Sequence, residues 1–349
     1  MMTNPPNSSN SPHPAAKFDW RRIVAPYERP DRWRSNWQLI NTLVPYALVW
    51  AAMIWSLQVS YWLTLALAVI GAGLLVRTFI LFHDCGHGSF FKSRRANTFW
   101  GYLLGVLTFT PNYLWWHEHA EHHAGAGDLG QRGVGDVWTM TVKEYLAASR
   151  STRFQYRLVR NPICLFLIAP SILFLIVHRF ALNGAKERAR RSVVMTNLGI
   201  LAVAVVLGGM IGFKAYFMIQ LPIIMIAASM GVWMFYVQHQ FEDTYWDVKP
   251  QWDYYKEAME GSSFYKLPRV LQWFTGNIGF HHIHHLSPRI PNYFLERCYK
   301  ENPLFQKIQP ITFWSSLQSL KFRLWDEQNR QLISFAEMEK RLLAGLIRV

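Results

Sequence analysis

Apolar residues gather along this chain into long unbroken runs, where a soluble domain would show short alternations. Crossing the hydrocarbon of a bilayer takes about 20 apolar residues in a helix, and four runs reach that length: 37–59, 61–82, 193–212 and 215–237. Ser60 alone separates the first two, and Phe213 with Lys214 the last two, so each pair reads as a helical hairpin with a short turn. Two shorter runs, 99–110 and 162–177, are closed by Pro111 and interrupted by Pro170.

The polar positions between the runs are dominated by histidine. Eleven of the 13 fall in four clusters, at 83–87, 117–123, 239 and 281–285. If these build one site, each gap between them must hold an even number of crossings. Run 99–110 lies alone between two clusters and therefore does not cross. Of the three runs between His123 and His239, 162–177 is the weakest, and the basic stretch HRFALNGAKERARR after it belongs in the cytoplasm. Four spans are expected, with 99–110 and 162–177 re-entrant or lying in the interface. Both tails and every histidine cluster then face the cytoplasm. The fold class that follows is an all-α integral membrane protein: four transmembrane helices in two hairpins, under a cytosolic helical cap that carries the histidines. The expected layout is a disordered tail at 1–16, a basic juxtamembrane segment at 17–36, a membrane domain at 37–300 and a cytosolic helical region at 301–349. The tail (MMTNPPNSSNSPHPAA) lacks the apolar core of a signal peptide, and its His13 is incidental.

Composition agrees with that picture. Sixteen Trp and 15 Tyr suit a chain living across a membrane–water boundary. The net charge of +14 has two readings, a nucleic-acid surface or basic loops facing anionic lipid. Its distribution favours lipid and no nucleic acid, because Arg21, Arg22, Arg29, Arg32 and Arg34, then Lys92, Arg94 and Arg95, then Lys186, Arg188, Arg190 and Arg191 crowd beside the apolar runs. Cys85, Cys164 and Cys298 are too scattered for a metal or disulfide framework.

Histidine spacing carries the chemistry. On a helix, positions i, i+3 and i+4 share a face. His83 and His87 stand at i and i+4 in HDCGH; His119, His122 and His123 stand at i, i+3 and i+4 in HAEHH; His281, His284 and His285 repeat that pattern in HHIHH. Eight imidazoles overfill one metal site, so a pair of ions is the economical reading. His239, just past the fourth span, adds a ninth ligand. His117 and His282 point off those faces and read as outer or surface residues. Zinc does not call for so many ligands, and the protease signature HExxH is missed. The Glu-x-x-His repeat of soluble di-iron bundles is missing too. A histidine-rich pair of irons remains, suited to turning O2 on a C–H bond.

HDCGH, HAEHH and HHIHH resemble the three boxes of the membrane-bound fatty acid desaturases of acyl-lipid type, within the wider superfamily of histidine-box membrane di-iron oxygenases. The likeness extends to RGVGDVWTMTVKEY, QHQFEDTYW and LPRVLQWFTGNIGFHHIHHLSPRIPNY, and covers about residues 37–300. It implies two irons, Fe2+ or Fe3+, held by His83, His87, His119, His122, His123, His239, His281, His284 and His285, with O2 as co-substrate and a fatty acyl or membrane lipid substrate. Two electrons, O2 and the removal of hydrogens from two adjacent methylenes would leave a cis double bond and two waters. The chain has no HPGG-type haem motif such as the fused cytochrome b5 domain of front-end desaturases carries, and has His281 where they have Gln, so a separate ferredoxin or cytochrome b5-like donor is implied. Where animal stearoyl desaturases place an Asn that holds an iron-bound water, this chain has Phe235; Asn277 or Gln238 takes that role, or the water is absent. A bacterial cytoplasmic membrane is the expected location. Δ5, Δ9 and Δ12 products stay open.

Metal-bound imidazoles need acceptors for their second N–H. Asp84, Glu118, Glu121, Glu242 and Asp243, neighbours of the boxes in sequence, are the candidates, with Asn277. An apolar tunnel must admit the acyl chain; Trp115, Trp116, Phe274 and Tyr236 either line it or pack helices. Arg77 is expected to snorkel to headgroups. The segment SFAEMEKRLLAGLIRV has helical apolar spacing at Phe335, Met338, Leu342, Leu343 and Leu346, and should pack on the cap or membrane surface. An alternative function is a fatty acid or hydrocarbon hydroxylase or ketolase on the same scaffold, whose product would gain an oxygen where a desaturase product loses two hydrogens. A metal-binding receptor or carrier would need histidines along the spans, and the four runs contain none.

Overall fold

The computed structural model describes residues 19–133, 135–181 and 184–346. The expected disordered tail, 1–16 with His13, lies outside them, as do 347–349 of the C-terminal segment. In chain order the helices are α1 (Trp20–Val24), α2 (Arg32–Ser56), α3 (Tyr61–His87), α4 (Arg94–Leu107), α5 (Asn112–Gly125), α6 (Val142–Ala147), α7 (Arg150–Val159), α8 (Ala169–Leu175), α9 (Glu187–Ile211), α10 (Phe213–His239), α11 (Tyr254–Lys256), α12 (Arg269–Phe274), α13 (His281–Leu286), α14 (Asn292–Glu301), α15 (Phe313–Ser316) and α16 (Phe335–Leu343).

Four of these, α2, α3, α9 and α10, are long and apolar enough to cross a membrane. Their ends differ from the apolar runs because hydropathy marks where a helix stops being greasy, whereas caps and backbone decide where it stops. Asp31 starts α2 early by accepting the Arg34 N–H at 2.9 Å. α3 continues past Phe82 until Gly88 turns the chain with φ of 70°. The first histidine pair is therefore carried on the helix itself. α10 likewise extends to His239.

α3 is apolar on all sides and is the buried centre of the bundle. α2 runs antiparallel beside it: Ser56 Oγ meets Thr64 Oγ1 at 2.8 Å near the turn, and Arg77 Nε donates to Thr42 Oγ1 at 2.9 Å farther along. Ile223 of α10 presses on Gly71, where an added Cβ would lie 3.2 Å from it. α9, by contrast, leaves Val194, Leu198, Leu201, Val205 and Met210 exposed, the surface expected of a helix facing lipid. Most of run 99–110 falls in the 14-residue α4, which is capped by Thr108, with Phe109 turning the chain just beyond at φ of 56°. Run 162–177 becomes a π-helical turn (Cys164–Ile168) followed by α8, bent by 61° from α7.

Two expectations need correcting. Arg77 does not snorkel; it is 3% exposed, donates to the Trp273 carbonyl and lies over the Trp273 ring. Its guanidinium finds neutral acceptors inside the protein, so it has no need of water. The chain is also not purely helical. β1 (Met140–Thr141) pairs in parallel with β4 (Leu324–Asp326), which pairs antiparallel with β5 (Gln331–Ile333); β2 (Phe264–Lys266) pairs in parallel with β3 (Pro310–Thr312). Three of these strands lie in the region expected to be helical, 301–349. Strands this short carry too few residues for period-two alternation to show in sequence.

The C-terminal helix α16 forms where its spacing predicts, capped by Ser334, which accepts the Glu337 N–H at 3.0 Å. Phe335, Met338 and Leu342 pack with Tyr145, Tyr156 and Leu324, while Leu343 and Leu346 stay exposed. Beneath that cluster, fully buried Arg160 donates to Tyr236 hydroxyl at 3.2 Å, Gln240 Oε1 at 3.0 Å and the Phe322 carbonyl at 3.0 Å. It ties α7 to α10 and the C-terminal strands.

Candidate metal centre

The histidines come from four helix segments. α3 ends with His83 and His87, α5 presents His119, His122 and His123, α10 ends with His239, and α13 carries His281, His284 and His285. They converge into two adjoining groups. In the first, ring nitrogens of His83, His87, His119, His123 and His284 all lie within 4.8 Å of one another. In the second, those of His122, His239 and His285 do. His281 joins the second group, its Nε2 being 3.0 Å from His239 Nε2. The groups touch where the His123 and His285 rings lie 4.3 Å apart. The i, i+3, i+4 spacing explains the sharing: box two sends His119 and His123 one way and His122 the other, and box three divides likewise.

This donor set fits metal ions. Facing Nε2 atoms stand 3.2 Å apart for His122 and His239, 3.1 Å for His119 and His123, and 3.0 Å for His123 and His284. Two ligands bonded to one ion at about 2.0–2.1 Å would be roughly 2.9–3.4 Å apart. The buried His87 Nε2 and His285 Nε2 have no hydrogen-bond partner. Burial, reinforced by neighbouring imidazoles, pushes His119, His123, His281, His284 and His285 well below the ordinary histidine range. Those five rings are therefore neutral, with free lone pairs, the form that binds a metal.

Three carboxylates stand behind the rings, one for each box. Asp84 Oδ1 accepts His83 Nδ1 at 3.1 Å, and its Oδ2 accepts the Asn292 backbone N and Nδ2 at 2.7 and 2.8 Å. Asp136 Oδ1 accepts His122 Nδ1 at 2.6 Å. Glu257, in a π-helical turn (Glu257–Gly261), lies 3.2 Å from His285 Nδ1. Asp136 and Glu257 are not among the sequence candidates, since both sit many residues from any box. Asp136 lies inside the quoted stretch RGVGDVWT, a signal that could have named it; Glu257 carries none.

The remaining candidates are not brought to the nine rings. Glu118 is half-buried without such a contact, Glu121 pairs with His117 at 3.4 Å, and Glu242 and Asp243 are exposed. Sequence proximity misled there because a helix or turn points neighbouring residues away from one another. Asn277, at φ of 61°, bonds Gln272 and the Asn292 carbonyl, and Gln238 donates to the Ile278 carbonyl. Neither is directed at an imidazole. Phe235 sets its ring 5.1 Å from those of both His122 and His239. It lines a cleft of about 20 Å³ with Asp136, Gln240 and Trp246, enough for a single water. His282 is buried between Phe264, Tyr299 and Phe305, away from both groups.

The aromatic residues proposed for a tunnel mostly pack. Trp115 stacks on His119 at 4.4 Å, Trp116 tilts against Tyr113, Phe274 fills the space over Gly73, and the Tyr236 hydroxyl donates to the Phe322 carbonyl at 2.9 Å. A separate open apolar cleft of about 650 Å³ runs along α10 beside Tyr61, Leu167, Phe217 and Met225.

Comparison with known proteins bears on this arrangement. The family model described as fatty acid desaturase matches residues 59–315. A fatty acid desaturase of Bacillus subtilis is 50% identical over 312 residues, 89% of each chain. An sn-1 oleoyl-lipid 12-desaturase of Synechocystis is 25% identical over 69% of this chain and 70% of its own. An sn-1 acyl-lipid omega-3 desaturase (ferredoxin) of the same organism is 25% identical over 72% of this chain and 69% of its own.

Proposed function

The chain belongs to the fatty acid desaturase family and is a fatty acid desaturase, and from that premise we propose that it introduces a cis double bond into acyl chains carried on membrane glycerolipids. The observation carrying the reading is the meeting of nine imidazoles, seven of them buried and those of His87 and His119 partly so, in two adjoining groups with facing Nε2 atoms 3.0–3.2 Å apart. His83, His87, His119, His123 and His284 would hold one iron, and His122, His239, His281 and His285 the other. Bound there, the irons supply the activation of O2 and the oxidising power that an unactivated methylene requires.

The chain's own part is to hold and to exclude. By accepting hydrogen bonds from the Nδ1–H groups of His83, His122 and His285, the carboxylates of Asp84, Asp136 and Glu257 fix the tautomer and aim each Nε2 lone pair. Burial, with the nearby Asp136 charge adding to it, pushes Glu257 well above the usual carboxylate range; a cation beyond His285 works against that and favours the charged form. Trp115 shields His119, and Phe235 closes one side of the second group. Solvent is thereby kept from seven of the nine imidazoles, while His87 and His119 stay partly exposed.

In this reading α2 with α3 and α9 with α10 cross the bilayer as two hairpins, while α4 and the 162–177 stretch stay in the interface. All three boxes then lie at the cytoplasmic face of a bacterial plasma membrane, under a cytosolic cap. Two electrons arrive from a separate carrier, a ferredoxin or a cytochrome b5-like protein; the cyanobacterial omega-3 relative carries ferredoxin in its name. Expression in a desaturase-deficient host, followed by mass spectrometry of intact lipids, tests the proposal. Glycerolipids lighter by two hydrogens, with a new double bond at one position, are expected. Products heavier by one oxygen, or unsaturation confined to thioesters, would sink it. The position found selects among Δ5, Δ9 and Δ12.

A further inference from the structure

The segment leading into the third box leaves an apolar face exposed among the described residues. β2 and β3 run parallel, Lys266 opposite Thr312, so the helices that follow them, α12 and α15, leave the sheet from the same end. Between them, Val270, Leu271, Trp273, Phe313, Trp314 and Leu317 are exposed, Trp314 at 76%. Isolated exposed apolar residues need no explanation, but six on the two segments that leave one end of this sheet, with Leu317 just past α15, form a patch.

Two sets of contacts fix where this patch lies along the long helices. The Phe274 ring sits so close to Gly73 of α3 that an added Cβ would be 2.8 Å from it, and Arg77 holds the Trp273 carbonyl. Gly73 precedes His83 by ten residues, about 15 Å along the helix axis, and stands well inside the apolar run. On the other side, Ser316 Oγ meets the Tyr265 hydroxyl at 3.2 Å, and that hydroxyl accepts Trp233 Nε1 at 3.4 Å. Trp233 precedes His239 by six residues, about 9 Å. α12 and α15 therefore stand beside the greasy lengths of α3 and α10, on the span side of the metal centre. Charge points the same way. Residues 261–280 contain Lys266 and Arg269 and no acidic residue; 302–325 contain Lys307, Lys321 and Arg323 and again none. Trp with Lys and Arg around an apolar face is the make-up of a segment lying in an anionic membrane surface.

We propose that α12, α15 and the parallel strands before them form a wedge seated in the cytoplasmic leaflet, with anionic lipid as its partner. The inference rests on the reading that α3 and α10 cross the bilayer with the histidine boxes at their cytoplasmic ends. It removes part of the expected cytosolic cap from water. It also couples lipid to the site, because Phe264 of β2 bridges Phe280, their rings stacked 4.7 Å apart, immediately before His281.

Nitroxide labels test it in the full-length protein, in nanodiscs of phosphatidylethanolamine and phosphatidylglycerol. The background is Cys164→Ser; Cys85 and Cys298 are buried. Labels go at Trp314→Cys and Val270→Cys, with Leu201→Cys on α9 as the span reference and Leu343→Cys, 92% exposed on α16, as the aqueous one. Power saturation with oxygen and with a water-soluble nickel chelate should place 314 and 270 with 201, nickel access falling severalfold below that at 343. If 314 and 270 match 343 while 201 is shielded, the wedge is overturned and the spans stand. Nickel access at 201 itself would overturn both. Combined Lys266→Glu, Arg269→Glu and Lys321→Glu should raise nickel access at 314; an unchanged value overturns the assignment of anionic headgroups.

Discussion

Asp84, Asp136 and Glu257 each stand within hydrogen-bond reach of Nδ1 of one imidazole as acceptor, so each box has one ring oriented by a carboxylate. The role predicts a metal phenotype distinct from loss of activity. Asp136→Asn should weaken iron binding by about 10–100-fold, read by titration against a chelator, and Glu257→Gln should act in the same direction. Asp243→Asn, at an exposed carboxylate of the same sequence neighbourhood, should leave iron affinity unchanged. If all three variants retain wild-type affinity, the carboxylates have no part in holding the rings. Asn292→Ala should cost less than Asp136→Asn, because the backbone N of residue 292 keeps its bond to Asp84 when the side chain is gone.

Among elements, the loop before α13 comes close against β2. A Cβ on Gly279 would sit 2.3 Å from the Tyr265 carbonyl oxygen, a backbone atom that cannot rotate away. Gly279→Ala must therefore displace either the strand or the third box. We expect a loss of stability of about 1–3 kcal/mol by thermal denaturation in detergent, together with reduced iron content. Gly209 of α9 provides the contrast, with no heavy atom within 4 Å of an added Cβ. Gly209→Ala should be neutral or slightly stabilising, since alanine favours helix over glycine. Equal damage from both substitutions would contradict the packing described. Gly73→Ala should fall between them, its obstacle being the Phe274 side chain.

At the scale of the molecule, the centre draws its donors from α3, α5, α10 and α13, which span most of the described chain. An ion bound there stabilises only the folded form, so occupancy and stability are linked. Stripping iron with a chelator should lower the melting temperature, and adding Fe2+ to the stripped protein should restore it in a concentration-dependent way. His122→Ala should blunt that response while leaving the helix content intact by circular dichroism. A melting temperature indifferent to iron would argue against four helices closing on a metal.

Local features were legible in the sequence because their physics is local. Runs of about 20 apolar residues specify a helix able to cross a bilayer wherever they occur, and α2, α3, α9 and α10 follow. The i, i+3, i+4 histidines commit each box to one helix face, and Ser334 with its apolar spacing commits α16. Long-range packing decided the rest. Which imidazole joins which group depends on how α5 and α13 face each other. Asp136 and Glu257 reach the rings because remote turns fold back onto them, while nearer carboxylates at Glu242 and Asp243 point into solvent. Arg77 finds the Trp273 carbonyl across a gap of 196 residues, and the strands of 310–333 exist only through partners elsewhere. No periodicity records such meetings, because the free energy that selects them belongs to surfaces that come together only in the fold.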